Sequence, residues 1–494
     1  MGETRQASLL LAGLGLLFLS AAIAAPINHD ESQYVAAIAL MREGLPYRDW
    51  PYLQTPLQPL LLSPLAFLPS GWLLISARLA NVLFALVTCW ALLRLLRGRV
   101  PFWAAAVAVG AMALTNAFLF AAEVARNDAL PVALFSLGLL ALGAGETLDR
   151  RRVLLAGLCF GLAISAKISL ALPVAGAGLW LLWRARSAVP AAVLGGVTGV
   201  LPCLILYALA PQPFLFGVFT YSLEAPQQYW TAIGEAGRLT AASKLGGLGL
   251  ETLKGATLVA LLLWLSTIRQ GGAERRLLDF AIAGGLLAAY LPDPFFRQYL
   301  VPLLPALFAR AALSLPALMP RWRTLAIGTG AVTSVVGASG TAADLADALS
   351  TRPELVAALD RSRVADIAQG EVLITLSPEQ FAGNDVRLHR GFAAGPFLFR
   401  TAGSLALTAE QLAFAPTFAR LNKLERAFIV TGGERKGRPP LFPKGLDAAL
   451  ELHAARSGYK PVDLGDGWTL WKPPLPFRPL DLTQKGGPEG PPSG

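Results

Sequence analysis

The sequence predicts a polytopic α-helical membrane protein of about eleven transmembrane helices, followed by a small extracytoplasmic α/β domain. Three observations predict it. Of the 494 residues, 54% are hydrophobic and only 15% charged, whereas an ordinary soluble domain carries roughly 25% charged residues. The mean hydropathy is +0.52. The apolar residues are also grouped: up to residue 340 they form runs near the roughly 20 residues that cross about 30 Å of hydrocarbon, and beyond it they do not.

In chain order, the runs 7–25, 71–93, 101–121, 129–145, 153–166, 169–183, 188–210, 252–268, 277–292, 299–318 and 324–340 read as spans. The fifth and sixth are short and divided only by Lys167 and Ile168. "PLQPLLLSPLAFLP" (56–69) is short and proline-rich and reads as a re-entrant or interfacial piece. In "ESQYVAAIALMREG", Tyr34, Ala37, Ile38 and Met41 share one helical face and Gly44 supplies a stop. That helix either lies on the outer membrane surface or packs on protein.

A net charge of +10 suggests nucleic acid, but the arginines are placed otherwise. They gather between apolar runs, at Arg94, Arg97 and Arg99; Arg150, Arg151 and Arg152; Arg184 and Arg186; Arg269, Arg275 and Arg276; and Arg321 and Arg323. This is the pattern of topology signals, and it predicts a cytoplasmic N-terminus in an inner (plasma) membrane. Loops 26–70, 122–128, 211–251 and 293–298, with the C-terminal part, then face outward. Cys89, Cys159 and Cys203 fall inside spans, so no disulfide framework is implied. The first apolar run reads as an uncleaved helix rather than a signal peptide.

The polar residues left over collect on that outer side. Asp30 and Glu31 follow the first span; Glu123, Arg126 and Asp128 follow the third; Lys167 divides the fifth and sixth; Arg297 and Tyr299 precede the tenth. A charge within a span costs about 2.5–3.5 kcal/mol on insertion scales, so Lys167 needs a partner. Arg126, Lys167 and Arg297 can neutralise a membrane-borne phosphate, and a carboxylate can act as general base toward a hydroxyl or amine. The plainer reading is that these groups terminate helices and pair among themselves, Glu123 with Arg126 for instance. No GxxxxGK[ST] loop, HExxH helix or GxSxG elbow occurs, which argues against a nucleotide-driven pump.

"HDESQYVAAIALMREGLPYRDWPYLQTPLQPLLLSPL" resembles the first outer loop of the GT-C superfamily of glycosyltransferases, in particular the bacterial protein O-mannosyltransferase and lipid A aminoarabinose transferase group. "EVARNDALPVALFSLGLLAL", "GLAISAKISLALP" and "RQYLVPLLPALFARAA" continue the resemblance, in the same order. It implies transfer of a sugar from a polyprenyl-phosphate donor to a lipid, glycan or protein acceptor, with inversion. Asp30 is then the catalytic base and Glu31 supports its geometry or a divalent metal (Mg or Mn), which some relatives use and others do without. Arg126, Lys167 and Arg297, with Tyr299, would hold the donor phosphate; Glu123, Asp128, Tyr34 and Gln54 would line the sugar or acceptor pocket. Many relatives carry a histidine-proline step after the acidic motif; here "YLQTPLQP" stands instead, with Gln54 and Gln58.

Residues 1–340 thus form the membrane part and 341–480 a small α/β domain, in which "EVLITL", "RAFIVTG" and "GWTLW" read as strands. Residues 481–494, rich in glycine and proline, read as a disordered tail. The alternative function is a transporter or flippase of an anionic lipid or solute, which should show mid-span charges and repeated halves.

Overall fold

The computed structural model describes residues 2–143, 148–365, 367, 370–400, 427–434 and 445–474; the expected tail 481–494 lies outside them. Helices dominate up to residue 365. In order they are α1 (Glu3–Ala24), α2 (Glu31–Leu40), α3 (Leu57–Leu62), α4 (Trp72–Leu96), α5 (Phe102–Ala113), α6 (Asn116–Glu123), α7 (Ala129–Gly143), α8 (Arg150–Ala166), α9 (Ala171–Arg184) and α10 (Val189–Leu209). There follow α11 (Pro211–Leu215), α12 (Tyr221–Ala232), α13 (Ala241–Leu253), α14 (Thr257–Thr267), α15 (Ala273–Tyr290), α16 (Leu304–Ser314), α17 (Pro320–Ser350) and α18 (Glu354–Ala365).

Among the described residues, four helices are long and apolar enough to cross a membrane: α1, α4, the run 186–209 that contains α10, and α17. Two bent pairs, α5 with α6 at 70° and α13 with α14 at 98°, raise the number to six; α7, α9 and α16 are apolar but short. The two bends meet. Thr115 caps α6 by accepting the Phe118 N–H, and Asn116 N–H donates to the Lys254 carbonyl at 3.1 Å. Gly255, at φ +128°, lies against the Thr115 backbone, where a side chain would have no room. Apolar counting sees continuous runs here and cannot see these breaks. The lipid-facing surface is plain on α10, where Leu194, Val197, Leu201, Leu204 and Ile205 are all exposed.

Helix α8 lies in close contact with α10 through two small-residue pairs, Gly157 with Gly161 and Gly195 with Gly199. A Cβ at any of the four would strike backbone of the facing helix. Small residues four apart let membrane helices approach closely enough for backbone contact, and Ser165 Oγ donates to the Gly199 carbonyl at 2.8 Å. This contact fixes the end of α8, where Lys167 emerges.

The ambiguity over α2 resolves toward protein. All ten of its residues are buried, against α4 and two short turns at 63–67 and 378–380. Beyond α18 comes a five-stranded mixed sheet of β1 (Val372–Thr375), β2 (Arg387–Leu388), β3 (Phe428–Thr431), β4 (Lys460–Gly465) and β5 (Trp468–Lys472), with helix α19 (Leu446–Arg456). The spatial order is β2-β1-β3-β5-β4, with β1 parallel to β2 and β3, and β5 antiparallel to β3 and β4. The sheet is joined to loop 26–70: Val35, Tyr47 and Trp50 share one apolar cluster with Leu373, Val430 and Leu470. Ser70 Oγ donates to Asp385 at 2.6 Å and Asn384 N–H to the Leu68 carbonyl at 2.8 Å.

Candidate active site

The site begins where α1 ends. Asn28 turns the chain, its Oδ1 accepting the Asp30 N–H at 3.0 Å, and α2 starts at Glu31. Glu31 is fully buried and its two oxygens are both held. Arg78 of α4 donates Nε to Oε1 at 2.8 Å and Nη2 to Oε2 at 2.7 Å. The N–H groups of Ala125 and Asn28 add bonds at 2.7 and 2.8 Å. Arg78 also donates to the carbonyls of Ala22, Ala25 and Pro26, closing the end of α1. A paired guanidinium is the only economical way to bury such a carboxylate. Glu31 is thus a fastener for α1, α2, α4 and the loop 124–128.

That fastening presents Asp30 outward. Its carboxylate contacts Arg126 Nη1, and His29 Nε2 lies 3.3 Å away. Arg126 donates Nε to Asp128 at 2.9 Å, and Asp128 binds Lys167 through its other oxygen. Two acids and two bases therefore make one neutral chain, Asp30–Arg126–Asp128–Lys167. Its ends are reachable, with Asp30 16% and Lys167 11% exposed, while Asp128 at 1% is sealed. The loop bearing Arg126 is held by its backbone: the Arg126 carbonyl accepts from Asn81 at 2.7 Å and Gln58 at 3.1 Å, and the Val124 carbonyl from Asn81 at 2.6 Å.

Arg297 joins through an aromatic ring. Its guanidinium lies 3.7 Å from the Phe120 centroid and that of Arg126 lies 5.0 Å from the same ring. Arg297 also donates to Asn116 at 3.0 Å, and Asn116 to Glu251 at 2.8 Å. Tyr299 is two residues on, its ring against Phe295 and Phe296. Tyr34 is buried on α2, and burial together with the nearby Asp128 charge pushes its phenol well above the usual range, so it stays protonated.

Two expectations change. Glu123 does not pair with Arg126; it accepts from Thr341 of α17 at 3.2 Å. Gln58 reaches the Arg126 loop through its side-chain amide, and the Gln54 backbone carbonyl accepts from Tyr47. Glu31 has both oxygens engaged, so the Asp30–Glu31 pair does not fit a divalent-metal centre. Among the described residues no three His, Cys, Asp or Glu side chains form a metal-binding group. Arg78, Asn81 and Phe120 escaped the sequence reading. Arg78 had a signal, a lone arginine well inside an apolar run; Asn81 and Phe120 had none.

Residues 52–292 match the model of glycosyltransferase family 87. That match covers just under half of the chain. No curated protein sequence matches this chain significantly. In fold it is similar to ArnT from Cupriavidus metallidurans bound to undecaprenyl phosphate, at TM-score 0.62 and 15% identity over 95% of this chain and 98% of that one. The apo state of the same protein gives 0.57 and 14% over the same shares. The apo oligosaccharyltransferase of Archaeoglobus fulgidus gives 0.50 and 12%, over 86% of this chain and 69% of that one.

Proposed function

We propose that this enzyme moves a sugar from a polyprenyl-phosphate donor to a hydroxyl or amine acceptor at the extracytoplasmic surface of an inner (plasma) membrane, with its N-terminus cytoplasmic and its chain crossing about eleven times. Residues 1–340 carry the reaction and the outward-facing part 341–480 covers it. The observation that carries the reading is the sharing of Arg126 between Asp30 and Asp128 beside an open Lys167. The bound undecaprenyl phosphate of the ArnT structure supports a lipid phosphate as the donor's leaving group.

In the resting chain charge is balanced, so a donor phosphate enters by replacing a carboxylate. Asp30 is the one to yield, because Asp128 is sealed and has Lys167 as well. Arg126 turns from Asp30 to the phosphate, Lys167 and Arg297 complete its neutralisation, and Asp30 is left as a free base. The acceptor oxygen or nitrogen then attacks the anomeric carbon from the face opposite the phosphate. A new C–O or C–N bond forms, the C–O bond to phosphate breaks with its electrons going to the phosphate oxygen, and the acceptor proton goes to Asp30. Inversion follows from the single displacement. Tyr34, a neutral donor, together with Tyr299, Gln54 and Glu123, supplies hydrogen bonds around the sugar and acceptor, while Asp128 positions Arg126 and Lys167.

The test is transfer of label from polyprenyl-phosphate sugars to a membrane lipid extract by protein in lipid vesicles, beside Asp30→Asn. Label should move with the native chain and not with a variant that keeps native thermal stability. Full transfer by folded Asp30→Asn would remove Asp30 from the reaction.

A further inference from the structure

The end of α4 remote from Asp30 carries a second concentration of charge that the reaction does not use. Sixteen residues separate Arg78 from Arg94, which is about 24 Å of helix. Leu79, Leu83 and Trp90 are exposed and Leu86 is half-buried, at steps of three and four residues that make one lipid-facing stripe. The same stripe continues into Arg94 and Arg97. Trp90, Arg94, Arg97, Arg99 and Leu140 of α7 line an open recess of about 370 Å³.

Among the described residues two acids reach this cluster. Glu274 takes Arg99 at 2.7 Å and Glu3 stands 4.0 Å from Arg97. Arg94 has no ion-pair or hydrogen-bond partner among the described residues. A topology signal needs only charge at a helix end. A tryptophan rim, a recess and two exposed guanidiniums in line with the acyl-facing stripe, Arg97 held only at 4.0 Å by Glu3 and Arg94 without a partner among the described residues, make a shaped site.

We infer that this recess binds the phosphate headgroup of an anionic membrane phospholipid, with Arg94 and Arg97 on the phosphate, Trp90 at the glycerol level and the acyl chains along Leu83 and Leu86. The inference is independent of the donor site.

The full chain would be placed in phosphatidylcholine nanodiscs with increasing phosphatidylglycerol brominated near the headgroup, and Trp90 fluorescence taken as the difference from Trp90→Phe. Brominated phosphatidylglycerol should quench Trp90 several-fold more per mole than brominated phosphatidylcholine, and Arg94→Gln/Arg97→Gln should make the two equal. Equal quenching in the native chain, or an unchanged preference in the double variant, overturns the site. Loss of the preference on adding millimolar inorganic phosphate at constant ionic strength assigns the recess to a free anion and overturns the lipid. Persistence of the preference under phosphate supports it.

Discussion

Arg78 donates to both carboxylate oxygens of Glu31, and neither side chain is more than 1% exposed. The pair lies one residue from Asp30, the carboxylate proposed as the base, yet its chemistry is that of a strut. Breaking a buried pair by removing one partner leaves an uncompensated charge and costs about 3–5 kcal/mol. Arg78→Met and Glu31→Gln should each lower the unfolding temperature strongly, and the double variant should recover part of the loss. Arg78→Lys should recover little, since an ammonium cannot span both oxygens and three carbonyls. Additive losses in the double variant would show that the two do not act as a pair.

Arg126 separates holding from neutralising. Arg126→Lys keeps the charge but cannot reach Asp30 and Asp128 together. If Arg126 stabilises charge on the departing phosphate, turnover should fall by about 10²–10³-fold, the range for removing one donor at a developing anion. The unfolding temperature should move little, because Asn81 and Gln58 hold the loop by its backbone. A loss confined to KM would mean that the guanidinium binds the donor equally in ground and transition states.

Much of this was legible beforehand, and the unread parts share a cause. Membrane character, the strand segments near 372, 428 and 468, and the grouping of Asp30, Arg126, Asp128 and Lys167 follow from hydropathy and from the cost of an unpaired charge in a bilayer. The breaks at Thr115 and Gly255 were invisible because each is specified by the other's backbone across 140 residues of sequence. Phe120 looked like one more apolar residue in a run, since nothing local tells a lipid-facing ring from one that two guanidiniums approach. The plainer reading paired Glu123 with Arg126 from proximity in the chain; α6 instead points it toward Thr341 of α17.

The α8–α10 contact gives a prediction about Lys167 that needs no chemistry at the site. Gly161→Leu pushes α8 from α10 against backbone that cannot yield. It should lower both stability and transfer, whereas Gly178→Leu on α9, where a Cβ meets nothing within 4 Å, should leave both unchanged. Transfer and melting curves on the two variants decide it; equal effects would mean that the close approach carries no weight.

The C-terminal sheet should have a pH dependence of its own. Asp447, in the first turn of α19, is 6% exposed, and its Oδ2 accepts the N–H groups of Gly432 and Glu434 at 3.0 Å each. Those bonds favour the carboxylate, but burial outweighs them and, with Glu434 and Glu451 nearby, pushes the group up to about 6. In the unfolded chain the value is about 3.9. The folded state therefore holds a proton that the unfolded state releases over this interval, and stability is full below about pH 4 and is lost as pH rises through about 6, by at most about 3 kcal/mol. Asp447→Asn keeps an acceptor for both N–H groups and removes the charge. Hydrogen exchange of β3 and α19 between pH 4 and 8, corrected for intrinsic rates, should show protection declining in the native chain and flat in the variant. Parallel profiles in the two would place the titration elsewhere in the sheet.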